Sequence, residues 1–119
     1  MMPAGSGTAT AIDARPSAVV WIDRGHALVA TTTPEGAVAV SEVTRPSGVV
    51  APDATYLARV VERIGDRERV VILGPGEARL ALEREYVSIY RRPERLVDVE
   101  PSGPLDRDAL VDRLRTLAA

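Results

Sequence analysis

The hydrophobic pattern of this chain changes period once, and that change constrains the fold more than any other feature. Up to about residue 44 the apolar residues come in short β-rich runs separated by turn-forming residues. "AVVWID" (18–23) is followed by Arg24-Gly25, "HALVATTT" (26–33) by Pro34-Glu35-Gly36, and "AVAVSEV" (37–43) closes the series. Connections that short join neighbouring antiparallel strands, so the three runs are predicted to form a meander. Beyond the loop "RPSGVVAP" (45–52) the spacing becomes helical. Tyr56, Leu57, Val60, Val61 and Ile64 recur on one face of a helical period. Asp53 stands where a carboxylate accepts from the first free N–H groups, and Gly65 stands where a helix ends.

"RVVIL" (69–73) is apolar throughout, as expected of a central strand covered on both faces. A second helix is predicted from about Glu77 to about Tyr90, with Pro93 as its stop. "RLVDV" (95–99) reads as a fifth strand. After "PSGP", Leu110, Val111, Leu114 and Leu117 mark the apolar side of a last helix. The order is βββαβαβα. Strands joined through helices run parallel, and right-handed crossovers then favour an α/β fold with a mixed five-stranded sheet of order 3-2-1-4-5 and three helices. This is a ribonuclease H-like arrangement. Residues 1–16, "MMPAGSGTATAIDARP", read as a flexible tail ahead of one domain over 17–119.

Composition removes whole classes of chemistry. The 119 residues include no Cys, Phe, Lys, Asn or Gln, and all 15 basic groups are Arg. A high-GC genome accounts for most of these absences. Without Cys there is no disulfide, thiol nucleophile or zinc-thiolate site. Without Lys there is no Walker lysine and no Schiff base, and without Asn or Gln no side-chain amide can orient a water. One His cannot supply a two-His metal site within the chain. A net charge of −2 lacks the basic footprint of a general nucleic-acid binder. No apolar run is long enough to cross a membrane and no signal peptide precedes the first strand, so a cytoplasmic protein without a cofactor is expected.

Three stretches resemble a known family. "VWID" closing the first strand, "ILGPGEARLAL" at the strand-to-helix corner and "RLVDVEPSG" before the final helix are similar to the middle domain of archaeal and eukaryotic peptide-chain release factors and of Pelota. They resemble small stand-alone bacterial relatives of that domain more closely still. The resemblance covers roughly residues 18–117 and implies a translation-related role. The release factors hydrolyse peptidyl-tRNA with a Gly-Gly-Gln tripeptide between the third strand and first helix. Here that segment is "TRPSGVVAP" (44–52), with one glycine, and the chain has no glutamine at all. What the resemblance implies is therefore the Pelota-like role, ribosome binding without that tripeptide.

The residues themselves leave several readings open. In "VVILGPGEARLALE" (70–83), Gly74-Pro75-Gly76 is either an anion cradle at a helix N-terminus or a tight corner. Gly74 and Gly76 are thus anion-binding candidates. Pro75 removes a donor, Glu77 brings negative charge, and no Lys or Ser/Thr follows, all of which favour the corner. Asp23 ends the first strand, where a two-metal nuclease places a carboxylate; Glu62 and Asp98 or Glu100 are its candidate partners. Asp98 attracts notice because it lies between Val97 and Val99. The alternative for Asp23 is a turn residue, and no tight metal binding is expected. His26 reads as an ordinary half-buried imidazole and Trp21 as core or interface.

Arginines cluster at two places. Arg59 and Arg63 share a helix face, and Arg91, Arg92 and Arg95 bracket Pro93. Together with Arg45, Ser47 and Gly48 of the 44–52 loop they are candidates for RNA phosphates or another macromolecular partner. The plain alternative is a solvated surface paired with Glu62, Glu83, Glu85 and Glu94. Three function classes follow: a non-catalytic ribosome- or RNA-binding module, a metal-dependent nuclease or phosphoesterase using Asp23 with Asp98 or Glu100, and a structural homo-oligomer. In the predicted sheet the third strand, 37–43, is an edge with Glu42 as its only charge. A homodimer joined through it is expected, unless the tail or the 45–52 loop covers it.

Overall fold

The computed structural model describes residues 15–33, 35–45 and 54–119. The chain forms β1 (Ser17–Ile22), β2 (His26–Thr32), β3 (Val38–Thr44), α1 (Ala54–Ile64), β4 (Arg69–Gly74), α2 (Ala78–Tyr90), β5 (Leu96–Pro101) and α3 (Arg107–Ala118). The sheet order is β3-β2-β1-β4-β5, with β1 antiparallel to β2, β2 antiparallel to β3, and β4 parallel to both β1 and β5. Fold class, strand order and helix count all match the pattern of periods.

The two central strands explain the unbroken apolar runs. Every residue of β1 is buried, and so are Val70–Gly74 of β4. Alternate side chains of β1 enter different cores. Ala18, Val20 and Ile22 join α1 and α2 on one face, while Val19 and Trp21 meet Leu110 and Leu114 of α3 on the other. The face of α1 read from its spacing is the buried one: Tyr56, Leu57, Val60, Val61 and Ile64.

Most boundaries differ from the sequence reading by a residue or two, among them β3, which runs Val38–Thr44 where 37–43 is read. α2 begins at Ala78, with Glu77 outside as a cap residue whose side chain caps nothing. It ends because Arg91 adopts a left-handed conformation (φ 58°) and donates its N–H to the Val87 carbonyl, before Pro93 is reached. Pro93–Arg95 then forms a 3₁₀ turn, so β5 starts one residue late, and it runs on to Pro101. Arg15 and Pro16, read as tail, are held: the Pro16 carbonyl accepts from Glu68 and Arg69. The rest of the tail, Pro34, the loop 46–53 and hence the cap role of Asp53 lie outside the described residues.

Candidate functional site

β1 and β4 run side by side in the same direction, but the chain leaves them in opposite directions, β1 into β2 and β4 into α2. A gap outside the carboxyl ends is the geometric result. Here it is a crevice of about 670 Å³ between the 23–26 turn and the 75–78 corner. It is the place where the fold brings Asp23, His26, Gly76 and Glu77 together.

The glycine corner that bounds this crevice is a packing device. Gly74 has φ 153°, and a Cβ on it lies 2.0 Å from the Ile22 carbonyl oxygen. Only a residue without a side chain lets β4 leave the sheet so close to β1. Gly76 has φ 63° with open space around the Cβ position, so its requirement is conformational. Arg79 folds back to hydrogen-bond the Gly76 carbonyl, which further closes the corner. Of the two readings of Gly74-Pro75-Gly76, this geometry explains the corner without any ligand.

The carboxylate of Asp23 is engaged in its own turn. Its Oδ1 accepts the backbone N–H groups of Gly25 and His26, each at 2.8 Å, and lies 3.3 Å from Nδ1 of His26. The His26 ring tilts against Trp21 with centroids 5.2 Å apart. Tyr56 of α1 donates its hydroxyl to the Asp23 carbonyl at 3.1 Å, and burial drives its phenol pKa well above the usual value, with the Asp23 charge adding to the effect. Among the described residues the crevice lining offers one imidazole, the carboxylates of Asp23 and Glu77 and the Arg24 guanidinium, with no hydroxyl or thiol. Among the described residues the Asp–His pair serves as a turn clasp.

Asp98 and Glu100 stand elsewhere, on the edge strand β5. Leu96 pairs with Val70 and Asp98 with Val71, so Val97 bulges out and is 55% exposed. The same bulge explains Asp98: its neighbours are apolar in sequence, but its side chain is exposed. Asp98 shares a hydrogen bond with Glu100, which raises the Asp98 pKa and lowers that of Glu100; Arg113 of α3, 2.5 Å from Glu100, adds to the lowering. Among the described residues no three His, Asp or Glu side chains gather in a way that could hold a metal ion. Asp23, Asp98, Glu100 and Glu62 are therefore not brought together as the two-metal reading requires.

The arginines divide into two sets. Arg92 pairs with Glu94 at 3.8 Å and Arg95 with Asp66. Arg67 donates to the carbonyls of Ile64 and Thr32, and Arg69 to that of Leu117. In contrast, Arg59 and Arg63 line a shallow groove between α1 and β3 beside Glu42 and Glu62, yet form no ion pair among the described residues. Arg91 is exposed, forms no ion pair there either, and is the one non-glycine described residue with positive φ. Arg45 donates its backbone N–H to Gly25 at the same end of the sheet as the crevice; Ser47 and Gly48 lie outside the described residues. Sequence reasoning missed the left-handed Arg91 and the internal roles of Tyr56, Tyr86 and Arg67. The only available signal for the tyrosines was a hydroxyl carried on an otherwise apolar helix face.

No protein-family model and no curated protein matches the sequence. Solved structures do match. The Pelota protein of Thermoplasma acidophilum superposes with a TM-score of 0.62 and 24% identity, covering 87% of this chain and 32% of that one. Archaeoglobus fulgidus Pelota gives 0.61 and 15%, over 95% of this chain and 35% of that one. Dom34 of S. cerevisiae, a translation termination-like factor involved in RNA quality control pathways and interacting with Hbs1, gives 0.57 and 9%, over 95% and 39%. The chain spans about a third of the length of the Pelota structures it matches. At these identities the likeness is one of architecture, and the architecture is Pelota-like.

Proposed function

We propose that this chain is a non-catalytic, translation-factor-like module that binds the ribosome through RNA phosphates and does not hydrolyse peptidyl-tRNA. The observation that carries this reading is a Pelota-like fold over most of the chain, in a sequence that has no glutamine with which to build a Gly-Gly-Gln tripeptide. The reading requires neither metal nor cofactor and places the protein in the cytoplasm, where its partner is.

The phosphate contacts fall to arginines that form no ion pair among the described residues: Arg59 and Arg63 on α1, and Arg91 at the end of α2. Arg91 has a particular claim. A left-handed conformation costs a side-chain-bearing residue about 1–2 kcal/mol relative to glycine. Such strain is retained where the side chain serves a purpose. Arg45, Ser47 and Gly48 belong to the same reading through the loop that carries the tripeptide in release factors.

Cosedimentation with ribosomes at moderate salt tests the proposal. The wild type is expected in the ribosomal pellet, and the Arg59→Ala/Arg63→Ala double variant largely in the supernatant. Arg91→Gly is expected to bind more weakly while gaining thermal stability. A wild type that stays in the supernatant overturns ribosome binding. Release of labelled peptide above the no-factor rate overturns the non-catalytic half.

A further inference from the structure

β3 and β5 are the two edges of the sheet, and they are built differently. β5 carries the Val97 bulge, the acids Asp98 and Glu100, and Pro101. Each of these is a known obstacle to pairing with another strand. β3 has neither bulge nor proline over Val38–Thr44, and it carries a single charge, Glu42.

The backbone of β3 can be assigned residue by residue. Thr33 donates to the Ala37 carbonyl and Arg45 donates to the Gly25 carbonyl, and the register pairs Val29 with Ser41 and Ala27 with Val43. Since the N–H and C=O of one strand residue point the same way, the odd residues face β2. Val38, Val40, Glu42 and Thr44 therefore turn their N–H and C=O groups outward, away from the sheet.

We infer that this edge pairs with the same edge of a second copy, antiparallel about a two-fold axis through Ser41. In that register Val38 meets Thr44 and Val40 meets Glu42. Every outward N–H and C=O of β3 then finds a partner. The other registers that keep side chains on their own face are shorter. Shifting the axis to Glu42 sets two carboxylates directly opposite, which is destabilising. Centring on Ser41 instead places each carboxylate against Val40, and sets the half-buried Val40 side chains of the two copies diagonally side by side. The edge is thus self-complementary in hydrogen bonding and in charge. The expected dimer is isologous, with one ten-stranded sheet running through both copies.

The experiment uses the whole chain, nuclease-treated and free of nucleic acid, at micromolar concentration in sedimentation velocity. The wild type is expected at twice its 12.7 kDa chain mass. Val40→Pro removes an outward N–H and no β2 bond, and edge strands tolerate proline there. It is expected to give a monomer with unchanged circular dichroism. If that variant fails to fold, a cysteine probe reads the same register. Ser41 meets its own copy at a non-hydrogen-bonded position, where Cα atoms lie about 4.5 Å apart, within disulfide reach. Because the chain has no Cys, Ser41→Cys with diamide is expected to give a covalent dimer, whereas Ser88→Cys on the exposed side of α2 is expected not to. A monomeric wild type, or a Val40→Pro variant that folds and still dimerises, overturns the inference. So does equal cross-linking of both cysteine variants. Ribosome binding is read separately, so either result can fail without the other.

Discussion

Two tyrosines act as polar pins in an apolar layer. Tyr56 ties α1 to the β1–β2 turn through the Asp23 carbonyl. Tyr86 ties α2 to the α1–β4 turn, donating to the Gly65 carbonyl at 3.1 Å while receiving the Arg67 N–H at 3.4 Å. Removing the Tyr56 hydroxyl leaves a carbonyl unsatisfied without opening a large cavity. Tyr56→Phe is expected to lower stability by about 1 kcal/mol in urea unfolding. The pair at the β5 edge behaves differently, because it titrates. Glu100 has a depressed pKa, so its contribution to stability is present above the ordinary Glu range and is lost as pH falls through its folded-state value. Asp98, whose pKa is raised, opposes it. In Arg113→Ala the Glu100 titration, followed by carboxyl-carbon NMR, is expected to move upward, while the hydrogen bond from Asp98 continues to hold it below the ordinary Glu range. These roles were invisible in the sequence because proximity along the chain does not set pairing. Arg63 adjoins Glu62 and pairs with nothing described, while Arg95 reaches Asp66 across the fold.

At the level of elements, the corner after β4 separates two uses of glycine. Gly74 is required for space in addition to its positive φ, and Gly76 for backbone conformation alone. Gly74→Ala drives a methyl group into the Ile22 carbonyl of a buried strand, so β1 and β4 must part. It is expected to cost upwards of about 3 kcal/mol or to abolish soluble expression. Gly76→Ala is expected to cost only about 1–2 kcal/mol. Thermal melts of the two variants check the order, and equal effects would remove the packing explanation. The elements themselves were legible because their periods are pure: β1 and β4 have no polar interruption, and α1 presents an uninterrupted apolar face. The ends were legible to within a residue or two. α2 ends at Tyr90 as read, but the left-handed Arg91 closes it before Pro93 is reached, and nothing local to the sequence marks that residue. The Val97 bulge likewise arises from register with β4, which no local pattern of β5 records.

For the whole molecule, the two cores share one sheet. β1 and β4 give alternate side chains to each, so neither core survives the loss of the strands that build the other. Unfolding is expected to be a single transition, with far-ultraviolet circular dichroism and indole fluorescence coinciding along a urea titration. An earlier fluorescence change would mean that α3 detaches first. That comparison is possible because of where the single Trp sits. Trp21 is 4% exposed, packed beneath α3, and its Nε1–H donates to the Gly103 carbonyl at 2.8 Å. Its other neighbour is the His26 ring at the mouth of the crevice. The chain therefore carries an optical gauge that needs no label. A shift of native emission to the red reports water reaching the α3 side of the sheet, and a change in intensity without that shift reports an event at His26.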